Sequence, residues 1–274
     1  MLHKKGLYAI FLILVSCAVG LDAAPLNIQL VGWPLAESEP DDCVVALGVV
    51  GSSISGGSAV QVAPGCSISD TAGGLQVGGV VSICRRLSFL QLSTGFSICS
   101  ENRGLQIAGV LNRCRLLTGR QIGIFNSAAE GDGLQVGVFN YVGEGSATSI
   151  GLINIRKTGL LRWLNSVDHN GDIVTGLQSG GEDLYTVIAY GVSDHSSSFA
   201  VGGQFQVGRF FSDIEAGVFI PADVETAQQV CSIARIRPGF SVTGAVHLFA
   251  SVELRISKGY TSQALGSLGV AWGR

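Results

Sequence analysis

The chain has 274 residues, of which 47% are hydrophobic and only 14% charged, and its net charge at pH 7 is −3. So weak a charge provides no basic field that would hold nucleic acid, and no nucleic-acid partner is predicted. The 39 glycines and the mean hydropathy of +0.43 favour a β-rich protein over a helical one.

Residues 1–20 have the form of a secretory signal peptide. Two lysines precede an apolar run over residues 7–15, which is too short to span a bilayer. Two cleavage patterns stay open: lipoprotein processing that would acylate Cys17, or an ordinary cut after Gly20. Either one predicts an exported protein at the cell surface or in the outer membrane. No later stretch is long and apolar enough to predict a helical membrane span.

Residues 43–157 are dominated by a repeat of 14 to 15 residues, which follows a polar, acidic cap segment over residues 21–42. Glutamine recurs at intervals of 15, 15, 15, 15 and 14 residues, and asparagine or serine recurs at a corner position after it. So short a period indicates one small unit stacked on copies of itself, with amides bonding along a ladder. The predicted ladder consists of Gln61, Gln76, Gln91, Gln106, Gln121, Gln135, Asn112, Asn126, Asn140 and Asn154.

A repeat of one strand favours a parallel β-solenoid over an up-and-down barrel. In a barrel every second strand would reverse, and equivalent glutamines would leave their shared position. The barrel stays the alternative for this region. Within a copy, apolar residues flank the glutamine at alternate positions, as expected for a half-buried strand. We interpret Leu105, Ile107, Val110 and Leu111 as facing a shared interior or its edges.

The clearest copies of the repeat are residues 133–140, with the sequence G-L-Q-V-G-V-F-N, and residues 149–154, with the sequence S-I-G-L-I-N. Behind a signal peptide, these phrases resemble the surface-repeat proteins found notably in spirochaetes, whose G-[LV]-Q-[IV]-G-L-[IV]-N units precede a β-rich C-terminal part. The resemblance covers residues 73–157 well. It implies an exported, cell-envelope location and carries over no catalytic activity or ligand.

Three cysteines follow the repeat. Cys84, Cys99 and Cys114 are 15 residues apart, so in stacked coils they would form a column with a spacing of ~4.8 Å. Three interpretations stay open: a small buried apolar residue reused in each coil, a disulfide between two of the three, or a metal site. The first is favoured, because unbonded cysteine is among the most buried residue types and zinc sites usually have closer ligand pairs. No metal and no cofactor is predicted.

Arginines gather near the turns of three successive coils, where stacking would form a basic edge. Two interpretations apply to this edge: solvated turns that guard the stack against further strand addition, or a site for an anionic partner such as lipid headgroups or envelope polysaccharide. The residues are Arg85, Arg86, Arg103, Arg113, Arg115 and Arg120.

The pattern changes after residue 157. Residues 158–182 are interpreted as a linker with a short helix, because five apolar residues fall on one side of a helical wheel. These are Leu160, Leu161, Trp163, Leu164 and Val167. Residues 183–274 are richer in aromatics and alternate over segments of about ten residues, which predicts an antiparallel sheet. The sequence leaves open whether that sheet closes as an outer-membrane barrel or packs as a sandwich.

The motifs of the chain do not indicate catalysis. Asp194, His195 and Ser196 are residue types of a hydrolase triad, but their adjacency in sequence is typical of a polar turn. The chain is therefore predicted to be an all-β, non-enzymatic structural or interaction protein of the cell envelope. The alternative is an outer-membrane pore in which the repeats and the C-terminal strands close into one barrel. Outer-membrane or envelope components are the expected partners, and the identity of any protein or polysaccharide partner is left open.

Overall fold

The computed structural model describes residues 26–29, 42–48, 50–222, 230–257 and 262–274. Its regular structure is β, with stacked parallel strands followed by a closed antiparallel barrel, which confirms the predicted fold class. In the described residues, no helix has the length and apolar character needed to cross a membrane. The predicted signal peptide, Cys17 and most of the cap segment lie outside these ranges. The chain forms two compact units, 1–115 and 116–274.

The first unit is a stack of parallel strands. Strands β1 to β4 pair in order, and the two halves of β4 then pair with β5 and with β6, so that the stack continues as two sheets, β5–β7 and β6–β8. The strands are β1 (Leu26–Gln29), β2 (Asp42–Gly48), β3 (Gly51–Ala63), β4 (Cys66–Gly78), β5 (Val81–Leu87), β6 (Leu90–Ser93), β7 (Phe96–Asn102), β8 (Leu105–Ala108) and β9 (Leu111–Leu117).

The stack begins earlier than predicted. Leu26 pairs with Val45 in the β1–β2 ladder, so the first parallel strand lies inside the segment 21–42 that was interpreted as a cap. Corner glycines permit the close approach of successive coils. A Cβ atom on Gly109 would lie 2.1 Å from the carbonyl oxygen of Thr94 in the preceding coil, so only glycine fits there.

The second unit contains further coils and the barrel. Its repeat strands again form two parallel sheets, β10–β12–β14 and β11–β13–β15. Gln121 is in register with Gln135 and then Ser149 in the first sheet, and Asn126, Asn140 and Asn154 are in register in the second. The strands are β10 (Arg120–Ile122), β11 (Phe125–Gly131), β12 (Leu134–Val136), β13 (Phe139–Glu144), β14 (Thr148–Ile150) and β15 (Ile153–Arg156).

Eight antiparallel strands then close into a barrel, because β16 pairs with both β17 and β23. They are β16 (Leu160–Asp168), β17 (Ile173–Gly180), β18 (Tyr185–Gly191), β19 (Ser197–Val207), β20 (Phe210–Ile220), β21 (Cys231–Ser241), β22 (Val246–Ile256) and β23 (Gln263–Gly273). We call the end at which β16 begins the proximal end and the opposite end the distal end. The repeat strands are parallel and take no part in the barrel, so the single barrel of the alternative prediction is not the architecture observed.

The prediction of a linker with a helix over residues 158–182 is wrong, because this segment supplies the first two strands of the barrel. Leu160 and Leu164 are buried on the inward side of β16, while Trp163 and Val167 are exposed on its outward side. Apolar residues therefore occupy both faces of this strand. That distribution hides the two-residue alternation and imitates the spacing of a helix.

The predicted inward face of the coils is also wrong. Gln106 and Ala108 fill the interior, whereas Leu105 and Ile107 are half-buried on the outer side and Val110 is 41% exposed. A polar interior is stable here because glutamine amides bond to their equivalents in neighbouring coils, and a satisfied amide does not carry the cost of an unpaired buried group.

Candidate functional site

The amide ladder runs through the interior of the coils. In the first unit, Gln76 Nε2 donates to Gln61 Oε1 at 2.9 Å, and Gln91 Nε2 donates to Gln76 Oε1 at 2.8 Å. Gln106 Nε2 continues the ladder to Gln91 Oε1 at 2.9 Å. These glutamines are fully buried. The ladder therefore fixes the register of successive coils from within.

The second unit has two such ladders of its own. Gln135 Nε2 donates to Gln121 Oε1 at 2.8 Å. At the opposite corner, Asn126 Nδ2 donates to Asn140 Oδ1 at 2.8 Å, and Asn140 Nδ2 donates to Asn154 Oδ1 at 2.7 Å. The structure places the predicted ladder residues inside the coils, where their role is to hold the stack rather than to meet a ligand.

The asparagine ladder ends on the outer wall of the barrel. Asn154 Nδ2 donates to Thr186 Oγ1 at 2.9 Å, and the Asn154 backbone N–H donates to Ser179 Oγ at 3.1 Å. Thr186 Oγ1 in turn donates to the carbonyl oxygen of Leu152 at 3.2 Å. The hydroxyls of Thr186 and Ser179 thus make the hydrogen bonds that a further coil would otherwise make with Asn154. The repeat pattern did not predict this junction, although the polar residues Ser179 and Thr186 at otherwise apolar outward positions of β17 and β18 are a signal for it.

The barrel has a polar interior and an apolar outer wall, as β22 illustrates. Its inward side chains are His247, Phe249, Ser251, Glu253 and Arg255. Its outward side chains are Val246, Leu248, Ala250, Val252, Leu254 and Ile256, of which Val252 is 61% exposed. A barrel in water has the opposite arrangement, with apolar residues inside, whereas this one is typical of strands that face lipid.

Five ionisable side chains cross the middle of the lumen, and all are more than 90% buried. Arg235 Nη1 donates to Glu215 Oε2 at 2.8 Å, and its Nε donates to Glu253 Oε2 at 2.8 Å. Arg237 Nη1 contacts Glu215 Oε1 at 2.9 Å and Asp213 Oδ2 at 3.2 Å. Each charge has a partner of opposite sign, as a buried charge requires.

Neutral polar groups complete the lumen network. Gln204 Nε2 donates to Asp213 Oδ1 at 2.8 Å, and the Tyr185 hydroxyl donates to Glu215 Oε1 at 3.2 Å. These contacts join side chains from β18, β19 and β20 to the arginines of β21. The network therefore fills the lumen from several sides of the barrel wall.

A cavity of ≈ 240 Å³, open to solvent, occupies the distal end of the lumen. Asp168, Asp172 and Asp194 stand around its mouth, and Arg235 and Glu253 lie at its base. The described residues contain no group of three or more His, Cys, Asp or Glu side chains that could hold a metal ion. The cavity thus leads from solvent to the ion-pair network.

Aromatic side chains on the outer wall gather toward the proximal end. Trp163 and Trp272 are register partners in β16 and β23, and both are nearly half-exposed. The rings of Phe210 and Phe240 lie 5.1 Å apart between centroids. Outward aromatics at one level of a barrel are the arrangement seen at a membrane interface.

The predicted basic edge carries acidic partners as well. Arg85 Nη2 donates to Asp70 Oδ2 at 2.7 Å, and Arg103 Nη2 donates to Glu101 Oε1 at 2.6 Å. The Arg85 guanidinium holds the pKa of the Asp70 carboxyl below its usual value. Arg86, Arg113 and Arg115 are exposed. The edge in this unit is therefore of mixed charge, which fits the solvated-turn interpretation better than an anion site.

The three cysteines of the repeat are buried and hold thiols rather than disulfides, as the favoured interpretation predicts. Cys84 and Cys99 are register partners in β5 and β7. Hydrogen bonds with the thiols of Cys114 and Cys84, together with burial, raise the pKa of the Cys99 thiol. These side chains are thus packing residues of the coil interior.

The triad residue types form a turn in the structure. Ser196 Oγ donates to Asp194 Oδ1 at 2.8 Å, while His195 Nδ1 lies 2.7 Å from the Tyr190 hydroxyl. His195 therefore lacks the bond to a serine that a triad requires. The arrangement is that of an Asx-type turn between β18 and β19.

The described fold has partial matches among known proteins. No family model matches the chain, and no curated protein matches it. One matching solved structure is a de novo designed transmembrane β-barrel, 16% identical, with a TM-score of 0.31 over 41% of this chain and 91% of the design. A solution NMR structure of the de novo design TMB2.3 is 14% identical, with a TM-score of 0.33 over 42% of this chain and 93% of that one.

Proposed function

We propose that the barrel, residues 160–273, anchors this protein in the outer membrane and that the coils form a structural or interaction surface carried by that anchor. The single observation that supports the proposal is the reversed polarity of the barrel, with paired charges inside and apolar side chains outside. A closed barrel satisfies every strand edge internally, which a membrane-spanning sheet must do. Strands β19 to β23 each have 11 residues, the length of a tilted transmembrane strand.

Water is a poor solvent for this outer wall. Phe210, Val252 and Leu268 are each more than 60% exposed, and they lie on different strands around the barrel. Transfer of one such side chain out of water is worth about 1.5–3 kcal/mol when complete. An apolar surface that surrounds a barrel greatly exceeds the scattered exposed residues of ordinary soluble proteins. Lipid is the environment that such a wall fits.

The anchor is proposed to be non-conducting and non-catalytic. Eight-stranded barrels are narrow enough for side chains to fill, and the ion pairs of Arg235 and Arg237 cross the middle of this lumen. That arrangement favours an anchor over the pore of the alternative prediction. Export, Cys17 acylation, membership of the surface-repeat proteins and envelope partners stay predictions.

A reconstitution experiment tests the anchor. The C17A variant removes any acyl chain, so its retention on phosphatidylcholine vesicles in a flotation gradient containing urea reports the barrel alone. We expect retention, because the outer wall binds lipid directly. Release of C17A as a monomer into the aqueous fraction would show that the barrel is no anchor.

A charge placed on the wall provides the matched comparison. Val252→Arg places a charge at an outward position near the middle of β22. There it should destabilise the vesicle-embedded barrel by about 2–4 kcal/mol. Gly244→Arg adds the same charge in the β21–β22 turn, where a new side chain meets open space, and should change stability by less than about 0.5 kcal/mol. Equal stabilities in urea titration would contradict a lipid-facing wall.

A further inference from the structure

The coils of the second unit have two unlike edges, where the chain crosses from one sheet to the other. The edge that we call the apolar edge consists of Ile122, Ile124, Phe125, Phe139, Ile150 and Leu152. The edge that we call the charged edge consists of Glu130, Asp132, Glu144 and Lys157. The six members of the apolar edge are each about 40% or more exposed. A coil stack with a polar interior thus also presents an exposed apolar surface.

The apolar edge is continuous along the stack. Phe125 and Phe139 occupy equivalent positions in successive coils, and their rings are stacked with centroids 5.0 Å apart and planes 9° apart. Ile153 follows in register in the last coil. Equivalent apolar side chains one above another form columns rather than isolated exposed residues. Contiguous patches of this kind mark interaction surfaces.

Contacts with the barrel set the direction of the last coil. The Leu152 carbonyl, at the apolar edge, accepts a hydrogen bond from Thr186 on the outer wall. Further along the same strand, Arg156 approaches the turn at the proximal end, where a Cβ atom on Gly181 would lie 2.7 Å from its guanidinium nitrogen. Arg274, at the proximal end of β23, donates to the Lys157 carbonyl at 2.8 Å.

The charged edge therefore lies at the end of the barrel, while the apolar edge lies beside the wall. We infer that the apolar edge of these coils is immersed among the acyl chains of the membrane that holds the barrel, with the charged edge at the aqueous boundary. The inference rests on the proposed anchor. The arrangement is the β counterpart of an amphipathic helix lying in the interface, whose apolar side enters lipid while its polar side stays wet.

The first unit, taken by itself, has the same apolar corners but a less uniform charged edge. Val80 and Val110 are exposed at corners that correspond to Ile124, whereas Arg85 and Arg103 are exposed at the opposite corners. The residue directly before each of these two valines is a glycine, so no charged side chain precedes the valine at these corners. Phe89, which is 64% exposed, lies among the charged corners of this unit. The apolar corners are thus a property of the repeat, whereas their separation from the charged corners is clearer in the second unit.

Fluorescence of single tryptophans in vesicles tests the inference. In full-length protein, Trp33, Trp163 and Trp272 are replaced by Phe, and one tryptophan is introduced at a time. Ile124→Trp and Phe139→Trp report the apolar edge, and Ala129→Trp is the matched control beside Glu130 on the charged edge. A further variant keeps native Trp163 as the reporter of barrel insertion. The probe is phosphatidylcholine brominated on its acyl chains, compared with the unbrominated lipid.

We expect the brominated lipid to quench I124W and F139W as strongly as the Trp163 reporter, with blue-shifted emission. A129W should be quenched instead by aqueous acrylamide. Two results overturn the inference while leaving the anchor intact. In the first, lipid quenches Trp163 but acrylamide quenches both edge variants, so the edge faces water. In the second, both edge variants are blue-shifted but neither quencher affects them, as expected if a second copy of the protein covers the edge. Failure of the lipid to quench Trp163 overturns the anchor itself. F139W keeps the test decisive if I124W does not fold.

Discussion

The buried amides are the side chains that hold successive coils in register. A glutamine in the ladder uses both ends of its amide, since Gln91 donates to Gln76 and accepts from Gln106. An apolar residue of similar size fills the same volume but leaves one acceptor and one donor without their partner. Each such buried group costs about 1–3 kcal/mol.

We therefore expect Gln91→Leu to destabilise the first unit by about 2–6 kcal/mol, the sum for two groups. Gln206→Leu is the matched control, because Gln206 is exposed and bonds only to the Gly208 carbonyl in a turn. Urea unfolding monitored by circular dichroism measures both variants. If the two leucine variants have the same midpoint, the ladder does not stabilise the stack.

The cysteine column leads to a second prediction at this scale. Because the pKa of the Cys99 thiol is raised, the reactive thiolate form is scarce in the folded protein at neutral pH. A thiolate-selective reagent should label half-buried Cys66 well before Cys84, Cys99 and Cys114, and urea should abolish the difference. Rapid native labelling of all three repeat cysteines would place the column at the surface.

The same shift has a consequence for stability. A thiol in an unfolded chain ionises near pH 8.5, whereas Cys99 in the fold keeps its proton to higher pH. Above that pH the unfolded chain loses a proton that the folded chain retains, so the free energy of unfolding decreases as pH rises. The Cys99→Ala variant should lose less stability between pH 8 and pH 10 than the wild type.

At the scale of elements, the period of the repeat sufficed to predict parallel coils, because equivalent residues in register require parallel neighbours. The inside of the coil could not be read from hydropathy. Gln106 is buried and Leu105 is half-exposed, the reverse of the usual partition, and only the ladder bonds explain it. The first barrel strands were missed for a related reason, since Leu164 faces inward and Trp163 outward, so that β16 is apolar on both faces.

The junction between the last coil and the barrel is a second element-level feature, and the Thr186 hydroxyl makes two of its hydrogen bonds. Thr186→Val keeps the shape of the side chain but removes the acceptor for Asn154 and the donor for the Leu152 carbonyl. We expect faster hydrogen exchange in β13 and β15 with no change in the barrel strands. Thr175→Val, at a comparable outward position on β17, is the control and should leave exchange unchanged. Equal exchange in both variants would show that the coil is held by other contacts.

At the scale of the whole molecule, the lumen charges decide between an anchor and a channel. Arg235 pairs with both Glu215 and Glu253, so its loss leaves two carboxylates without their shared cation. Breaking a buried network by removing one partner typically costs 3–5 kcal/mol. Arg255, in contrast, stands nearer the distal mouth, where it pairs with Glu253 and stacks over the Phe219 ring, and its side chain is 21% exposed.

We accordingly expect Arg235→Leu to destabilise the vesicle-embedded barrel by about 3–5 kcal/mol and Arg255→Leu, which loses one ion pair and one ring contact, by less than about 2 kcal/mol, as measured by urea titration. The wild type should show no steady ion current in a planar bilayer, because the Arg235 and Arg237 pairs cross the lumen. A steady current through the wild type that persists in both Arg235→Leu and Arg255→Leu would mean that ions bypass the network. The barrel would then be a pore rather than an anchor.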